Sequence, residues 1–341
     1  MDCPATRRRG DRVRRRDLFA FIGGLVTALP RGAFAEQQSR TRRIGTLLPA
    51  VADDPTYQTR LGALLQELQQ LGWTLGRNLR VDSRWTAGNP ANSRKFAAEL
   101  VALAPDVIIA LGSSTVVPLL ETTRKIPIVF TAISDPVGAG IVESLARPGG
   151  NATGFMPFEY SMGAKWLELL KEVAPHTSRV AVLRDTSNPA GIGQFGAVQS
   201  AAAARGMEVT PLSANAAGEI ERTIATFARV PNGGLIATSV AGASLYRRLL
   251  VTLAADHKVP AVYFERSFVE IGGLTSYGPN YVDQFRRAAH YADRILNGET
   301  PNDLPVQAPT KYELVVNNKA AMRLGLDIPA TVLVRADEVI E

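Results

Sequence analysis

The sequence predicts an α/β fold built from two doubly wound parallel-sheet lobes that are joined by a multi-strand hinge. A length of 341 residues suits about two domains, and 46% hydrophobic residues are enough for a core. Short apolar runs alternate with helical patterns from Arg42 to about Tyr291, and the alternation restarts once, near Phe155. Strands that alternate with helices are typical of a parallel sheet covered on both faces.

The first unit contains four predicted strands and three predicted helices. Leucines recur every three or four residues between Tyr57 and Leu71, which predicts one apolar face of a helix. Val107–Leu111 is continuously apolar, as expected for a strand buried on both faces. The predicted strands are Ile44–Leu48, Leu79–Ser83, Val107–Leu111 and Ile128–Ala132, and the predicted helices are Tyr57–Leu71, Phe96–Leu103 and Val116–Thr123.

The second unit follows a turn-rich stretch from Arg147 to Phe155, and we expect the chain to cross between lobes over residues 155–160. Lobe 1 should then comprise residues 42–155 and about 278–300, and lobe 2 residues 156–277 and about 305–341. The predicted strands are Arg179–Leu183, Met207–Thr210, Gly234–Thr238, Pro260–Phe264, Leu274–Tyr277 and Tyr312–Val316, and the predicted helices are Met162–Val173, Phe195–Arg205, Ile220–Phe227, Leu245–Ala255, Val282–Leu296 and Lys319–Leu324, before a tail.

Residues 1–35 have the pattern of an export signal. An arginine-rich stretch precedes an apolar run over residues 18–29, which is shorter than the about 20 residues that a spanning helix needs. Ala33-Phe34-Ala35 matches a small-residue cleavage site. The pair Arg15-Arg16 resembles the twin-arginine pattern, and the general secretion route stays open. We expect a periplasmic protein whose signal is cleaved near Ala35.

Charge and cysteine content exclude several classes of partner and site. Nearly all of the net charge of +6 lies in the leader, which holds eight arginines and three aspartates, so no nucleic-acid partner is expected. The single cysteine, Cys3, excludes a disulfide scaffold and a multi-cysteine metal site. The three histidines match no zinc spacing. We expect no metal, no cofactor and a monomeric protein.

Polar side chains follow several predicted strands, at the edge where open parallel sheets bind ligands. Gly112-Ser113-Ser114-Thr115 comes directly after Val107–Leu111 and precedes a helix. Three hydroxyls and the free N–H groups of a helix start would suit an anion. A serine that only caps the helix would explain the same pattern, so both interpretations stay open.

Other strand ends supply further candidates, each with a structural alternative. Asp135 could pair with a ligand amine or hydroxyl, although Asp-Pro also begins turns and helices. Polar residues in the second unit could reach across a cleft or serve only in loops and caps, and nearby aromatic residues could hold a flat ligand or belong to the core. The expected ligand contacts are Tyr57, Ser113, Ser114, Thr115, Asp135, Asn188, Ser239, Glu265 and Tyr277.

No catalytic constellation accompanies these strand ends. The sequence lacks the G-x-x-x-x-G-K, G-x-S-x-G and H-E-x-x-H patterns. A G-x-G-x-x-G match at residues 191–196 lies several residues beyond its strand, whereas a dinucleotide site needs the first glycine in the turn that follows the strand. We expect no catalytic residues, and an extracytoplasmic enzyme is a less favoured alternative.

Longer motifs are spread along the chain from Ile44 to Gly278. They are Ile44-Gly-Thr-Leu, Asp106-Val-Ile-Ile-Ala-Leu-Gly, Ile126-Pro-Ile-Val-Phe130, Ser134-Asp-Pro-Val-Gly-Ala-Gly-Ile-Val142, Arg147-Pro-Gly-Gly-Asn-Ala-Thr-Gly154 and Gly272-Gly-Leu-Thr-Ser-Tyr-Gly278. Together they resemble the ABC-importer substrate-binding proteins of the tryptophan/tyrosine type, over about Arg42 to Ala336.

This resemblance implies a type I periplasmic-binding-protein fold with three chain crossings and a hinged cleft. It implies capture of a small organic solute, either an aromatic or other amino acid or another carboxylate, and delivery to an ABC permease in the inner membrane. It also implies that the ligand carboxylate lies at Ser114 and Thr115. A ligand-binding sensor component that reports to a signalling partner is the main alternative. A transcription regulator is disfavoured because the leader occupies the place of a helix-turn-helix before Arg42.

Overall fold

The computed structural model describes residues 41–184, 189–213, 216–238, 245–309 and 311–341. The predicted export signal and the candidate residues Asn188 and Ser239 lie outside this part of the chain. The described residues form two α/β lobes, each built around its own sheet, which confirms the predicted fold class.

Lobe 1 contains a five-stranded sheet in which all pairings are parallel. The strand order is β2-β1-β3-β4-β5, so the order of the chain reverses between β1 and β3. Open parallel sheets bind ligands beyond the carboxyl ends of the strands at such a switch point. The strands are β1 Arg42–Leu48, β2 Leu79–Trp85, β3 Val107–Leu111, β4 Ile128–Thr131 and β5 Ala152–Gly154.

Lobe 2 contains a seven-stranded sheet in the order β12-β11-β10-β9-β8-β6-β7, with its switch point between β6 and β8. Its pairings are parallel, as predicted, except that β10 and β11 are antiparallel. Between these two strands the chain forms the helix Tyr281–Leu296, which packs on lobe 1. The chain therefore returns to the lobe 2 sheet from lobe 1, and β11 runs opposite to β10. The strands are β6 Arg179–Arg184, β7 Glu208–Ser213, β8 Gly233–Ala237, β9 Ala261–Tyr263, β10 Thr275–Pro279, β11 Tyr312–Asn317 and β12 Glu338–Ile340.

The helices cover the sheets and mostly agree with the apolar periodicity. The tail expected after Ile328 instead forms a short helix and strand β12, which pairs with β11. The helices are α1 Pro55–Gln70, α2 Pro90–Ala102, α3 Ser113–Thr122, α4 Met162–Val173, α5 Pro189–Ala203, α6 Ala217–Phe227, α7 Arg247–Asp256, α8 Ser267–Glu270, α9 Tyr281–Leu296, α10 Asn318–Leu324 and α11 Ala330–Arg335.

The lobe 1 sheet is buried on both faces. Alternate side chains of β3 enter different apolar clusters: Ile109 packs with α1 and α9, whereas Ile108 packs with α2 and α3. This alternation follows from the two-residue repeat of a strand. Lobe 2 has one large cluster that includes the fully buried Trp166 and Leu250. Each lobe therefore has a core of its own.

Three chain segments pass between the lobes and are hydrogen bonded to one another. The Met156 N–H donates to the Gln307 carbonyl at 2.8 Å, and the Gln307 N–H donates to the Gly154 carbonyl at 2.9 Å. The Gln284 side-chain amide, at the start of α9, donates to the Met156 carbonyl at 3.2 Å. These bonds tie the three crossings into one hinge, so relative motion of the lobes is expected to be a bend rather than free rotation.

Candidate ligand-binding site

Residues beyond the carboxyl ends of both sheets meet between the lobes. Arg60, in the helix that follows β1, forms an ion pair with Glu265, which follows β9. Asp54, in the loop after β1, lies 3.2 Å from Arg247 at the start of α7. The interlobe cleft is therefore bounded by the strand ends at which the sequence placed the candidate residues.

The start of α3 is the candidate anion site of lobe 1. Gly112 has a φ of 77°, a conformation that glycine adopts readily, and it lets the chain pass from β3 into α3 within one residue. The helix therefore begins at Ser113 rather than at the predicted Val116, and no described side chain caps it. Ser114 is exposed, and neither its hydroxyl nor that of Ser113 is hydrogen bonded to a described residue. Two hydroxyls and the first backbone N–H groups are thus available to a ligand.

Thr115 differs from the two serines. It is fully buried, and its hydroxyl donates to the Leu111 carbonyl at 2.8 Å. This bond back to the preceding turn engages the only donor of the side chain. Thr115 therefore anchors α3 to the end of β3, and only the hydroxyls of Ser113 and Ser114 are left without a partner among the described residues.

Asp135 joins the loop after β4 to the start of lobe 2. One carboxylate oxygen accepts the Gly138 N–H at 2.7 Å, and the other accepts the Tyr160 hydroxyl at 2.7 Å. Burial, together with the bond to Asp135, raises the pKa of Tyr160, which keeps that hydroxyl protonated as a donor. Both oxygens of Asp135 have partners within the protein.

Glu265 and Arg60 form a buried ion pair between the lobes, with side chains 3% and 5% exposed. The Arg60 guanidinium also lies over two rings, 4.8 Å from that of Tyr57 and 4.5 Å from that of Tyr281. Burial lowers the pKa of Arg60, but the charge of Glu265, the neighbouring Tyr57 and Tyr281 and the hydrogen bond to Glu265 together outweigh it, so the pKa is raised. Arg60 is therefore charged at any physiological pH.

A second ion pair extends this contact. The Ser267 hydroxyl donates to the free oxygen of Glu265 at 2.7 Å and lies 3.5 Å from Arg247, which pairs with Asp54 of lobe 1. Asp54 also caps α1 by accepting the Thr56 N–H at 2.9 Å. Five polar side chains therefore form a continuous series of contacts, which begins and ends in lobe 1 and passes through three residues of lobe 2. In order they are Asp54, Arg247, Ser267, Glu265 and Arg60.

The two predicted aromatic contacts lie in different lobes. Tyr57 is buried on α1 beneath Arg60. Tyr277 lies in β10, where its ring is 5.7 Å from that of Tyr312 and its carbonyl accepts the Trp166 indole N–H at 2.7 Å. Tyr57 thus lies beside the interlobe ion pair of Arg60 and Glu265, and Tyr277 has aromatic neighbours within lobe 2.

Arg60 and Arg247 were missed in the sequence, whereas Tyr160 was one of the aromatic residues near the strand ends that could hold a flat ligand or belong to the core. Only Arg60 gave a signal that could have been used, since it is a charged residue on the apolar face of α1, three positions after Tyr57. A charge on a buried face needs a partner, so it predicts an ion pair but not its location. Nothing local distinguishes Arg247 from other surface residues.

A separate cavity of about 280 Å³ lies in lobe 2. Ala261 and Leu274, among its lining residues, stand at the amino-terminal ends of β9 and β10. This is the edge of the sheet opposite the cleft. The cavity is therefore distinct from the strand-end site, which both lobes share.

Residues 47–340 match the family described as ABC transporter substrate binding protein. The chain belongs to this family. The predicted function, a substrate-binding protein of an ABC importer rather than an enzyme, is confirmed by this membership.

Several known proteins are similar to this chain. A tyrosine-binding protein of Clostridioides difficile (strain R20291) is 25% identical over 282 residues, which cover 81% of this chain and 79% of that protein. A conserved domain protein from Vibrio cholerae is 29% identical, with a TM-score of 0.81 over 88% of this chain and 100% of the other. An ABC domain solved with L-Trp from Streptococcus pneumoniae also has a TM-score of 0.81, at 24% identity and the same two coverages.

A third solved relative differs more in shape than in sequence. The ligand-free, open structure of a substrate-binding protein with adhesive properties from Clostridium difficile is 25% identical over 88% of this chain and 99% of that chain, but its TM-score is 0.65. The sequence identities to the L-Trp complex and to the open form are nearly equal. The protein described here is nevertheless more similar in shape to the L-Trp complex than to the open form.

Family membership also bears on location, since ABC substrate-binding proteins act outside the cytoplasm. Within the described residues, no helix has the length and apolar character needed to cross a membrane. The same part of the chain brings no three His, Cys, Asp or Glu side chains together as a metal site.

Proposed function

We propose that this protein captures an aromatic amino acid in the cleft, with the ligand carboxylate at the start of α3. The uncapped helix start beside the switch point carries the proposal, because two hydroxyls and the first N–H groups are available there to an anion. A helix start favours negative charge without a buried arginine. Relatives named for tyrosine and solved with L-Trp support an aromatic side chain.

Of the nine residues expected to contact the ligand, we assign Ser113, Ser114 and Tyr57 to this role in lobe 1. Asn188 and Ser239 follow β6 and β8, the two strands at the switch point of lobe 2, and we propose them as the opposing contacts. The other four, for which the structure provides partners within the protein, contribute less to the proposal: Thr115, Asp135, Glu265 and Tyr277.

Thermal unfolding with each of the twenty amino acids tests the proposed ligand. A ligand that binds only the folded state at 100 times its Kd adds about 2.7 kcal/mol to the free energy of unfolding. We expect L-tyrosine or L-tryptophan to raise the melting temperature and L-alanine to leave it unchanged. No shift with either aromatic amino acid, together with a different ligand mass retained in native mass spectrometry, would overturn the proposal.

We further propose that the mature protein is a periplasmic monomer that begins near Glu36 and delivers its ligand to an inner-membrane permease. The Ala33-Phe34-Ala35 site behind the apolar run supports cleavage at this point. Amino-terminal sequencing of the periplasmic form tests it, and a mature chain that retains residues 21–29 would contradict it. Light scattering during gel filtration measures the oligomeric state, and a dimer mass would contradict the monomer.

A further inference from the structure

The two interlobe ion pairs have opposite polarity. Lobe 1 supplies the base of one pair, Arg60, and the acid of the other, Asp54, while lobe 2 supplies Glu265 and Arg247. Ser267 connects the pairs by its contacts with Glu265 and Arg247. Each lobe thus presents one positive and one negative group to complementary groups, so the contacts specify one relative position of the lobes.

The Arg60–Glu265 pair joins the two lobes and is buried. Arg60 and Glu265 stand 205 positions apart in the sequence and in different lobes, yet both side chains are almost fully buried. A bend at the hinge that separated them would break the ion pair and leave each charge without its partner. The attraction between Arg60 and Glu265 therefore stabilises the closed arrangement specifically. Contacts within each lobe, from the two rings to Arg60 and from Ser267 to Glu265, hold the two side chains in place.

We propose that Arg60 and Glu265 form a closure latch, which favours the closed cleft before ligand arrives and raises ligand affinity without contacting the ligand. This inference rests on the proposed function, because it assigns a role beside the same cleft. Arg60 is a positioning residue: its guanidinium lies over Tyr57, which we place in the ligand wall.

The latch has a measurable consequence for affinity. The apparent Kd equals the intrinsic Kd divided by the fraction of protein in the binding-competent form. Glu265→Gln leaves Arg60 buried and without a charged partner in the closed form, so closure becomes less favourable. Replacement of both residues by apolar ones of similar size, Arg60→Met with Glu265→Leu, removes both charges and is expected to restore closure, because buried pairs can often be exchanged in this way at little cost.

Interlobe distances in the ligand-free protein test the latch directly. The chain has no cysteine after Cys3, so Arg94→Cys on α2 and Thr252→Cys on α7, both exposed, can carry a pair of spin labels. We expect mainly short distances in the otherwise unaltered protein, longer ones in Glu265→Gln, and short ones again in the double variant. Arg84→Met is the matched control, since it breaks the Arg84–Glu99 pair at 2.9 Å within lobe 1 and should leave the distances unchanged.

Affinity for L-tyrosine and L-tryptophan completes the test. Glu265→Gln should weaken binding at least tenfold, and the double variant should bind within about threefold of the unaltered protein. Equal distance distributions in the unaltered protein and Glu265→Gln would overturn the latch, as would a double variant no better than the single one. A separate outcome would contradict the proposed ligand alone. In that outcome the unaltered protein binds neither amino acid, while Glu265→Gln still changes the interlobe distances.

Discussion

The helices that follow the first three strands of lobe 1 begin in two different ways. Side chains cap α1 and α2: Asp54 accepts the Thr56 N–H at 2.9 Å, and Asn89 accepts the Ala91 N–H at 2.8 Å. In both helices a proline follows the capping residue. The third helix, α3, begins after Gly112 with no cap from a described side chain, although two serines stand at its first two positions.

The two kinds of helix start have different roles: the start of α1 contacts the other lobe, whereas we assign the start of α3 to the ligand. The cap of α1 satisfies its own helix and also pairs with Arg247 of the other lobe, so that helix start takes part in closure. The first N–H groups of a helix need a partner, which can be a side chain, water or a ligand. Because no described side chain serves α3, we assign its start to the ligand.

The largest expected effect comes from a carboxylate placed on α3. Ser114→Asp puts a negative charge where we place the ligand carboxylate, and opposed like charges cost several kcal/mol. Affinity for L-tyrosine and L-tryptophan should fall by about 100-fold or more. The melting temperature should stay constant or rise, because an acidic residue in the first turn complements the helix dipole.

Calorimetric titration and thermal unfolding measure these two effects of Ser114→Asp. Ser178→Asp is the control, since Ser178 is exposed immediately before β6, at the opposite edge of a sheet. Unaltered affinity in Ser114→Asp would show that the start of α3 is not the anion site.

Removal of the two free hydroxyls should have a smaller effect on affinity. A hydrogen bond to a charged group is worth about 1.5–3 kcal/mol, so Ser113→Ala with Ser114→Ala should weaken binding about tenfold or more. Stability should be nearly constant because neither hydroxyl bonds to a described residue. Thr115→Val is the matched control, and titration should show unchanged affinity with a loss of about 1 kcal/mol in unfolding free energy. The reverse pattern would mean that Thr115 binds the ligand and the serines do not.

The smallest effects concern the capped helices. Asn89→Ala should lower the free energy of unfolding by about 0.5–2 kcal/mol through loss of the α2 cap alone. Asp54→Ala should cost more, because it also leaves Arg247 without its carboxylate partner. Asp54→Asn keeps a capping oxygen, so its cost isolates the ion pair. Denaturant unfolding compares the three variants, and equal costs for Asp54→Ala and Asn89→Ala would remove the distinction between the two caps.

Hydrophobic periodicity predicted most elements because each buried strand is a short apolar run. Val107–Leu111 and Met162–Val173 are confirmed residue for residue. The predicted helix starts were less accurate than the predicted strands. Helix α2 begins six positions before the predicted Phe96, at the Asn89-Pro90 cap. The first turn after this cap is mostly polar, so apolar periodicity does not detect it. The terminal strand β12 is only three residues long, and pairing with β11 forms it.

The contacts across the cleft could not be predicted because periodicity reports local structure only. Arg60 and Glu265 are joined by the arrangement of the lobes, and nothing near either residue identifies the other. The serines of α3 were found because they follow a recognisable strand, but their sequence fits a cap and a binding site equally well. The absence of a side-chain cap, which favours the second interpretation, is visible only in the structure.

The central claim is that a ligand carboxylate binds the uncapped start of α3. Calorimetric titration of the protein with L-tyrosine and L-tryptophan, each compared with its methyl ester, tests this claim most directly. The ester keeps the side chain and the amino group but removes the negative charge that the helix start attracts. The account predicts that at least one of the two amino acids binds and that its ester binds at least tenfold more weakly. Equal affinity for the acid and its ester would contradict it.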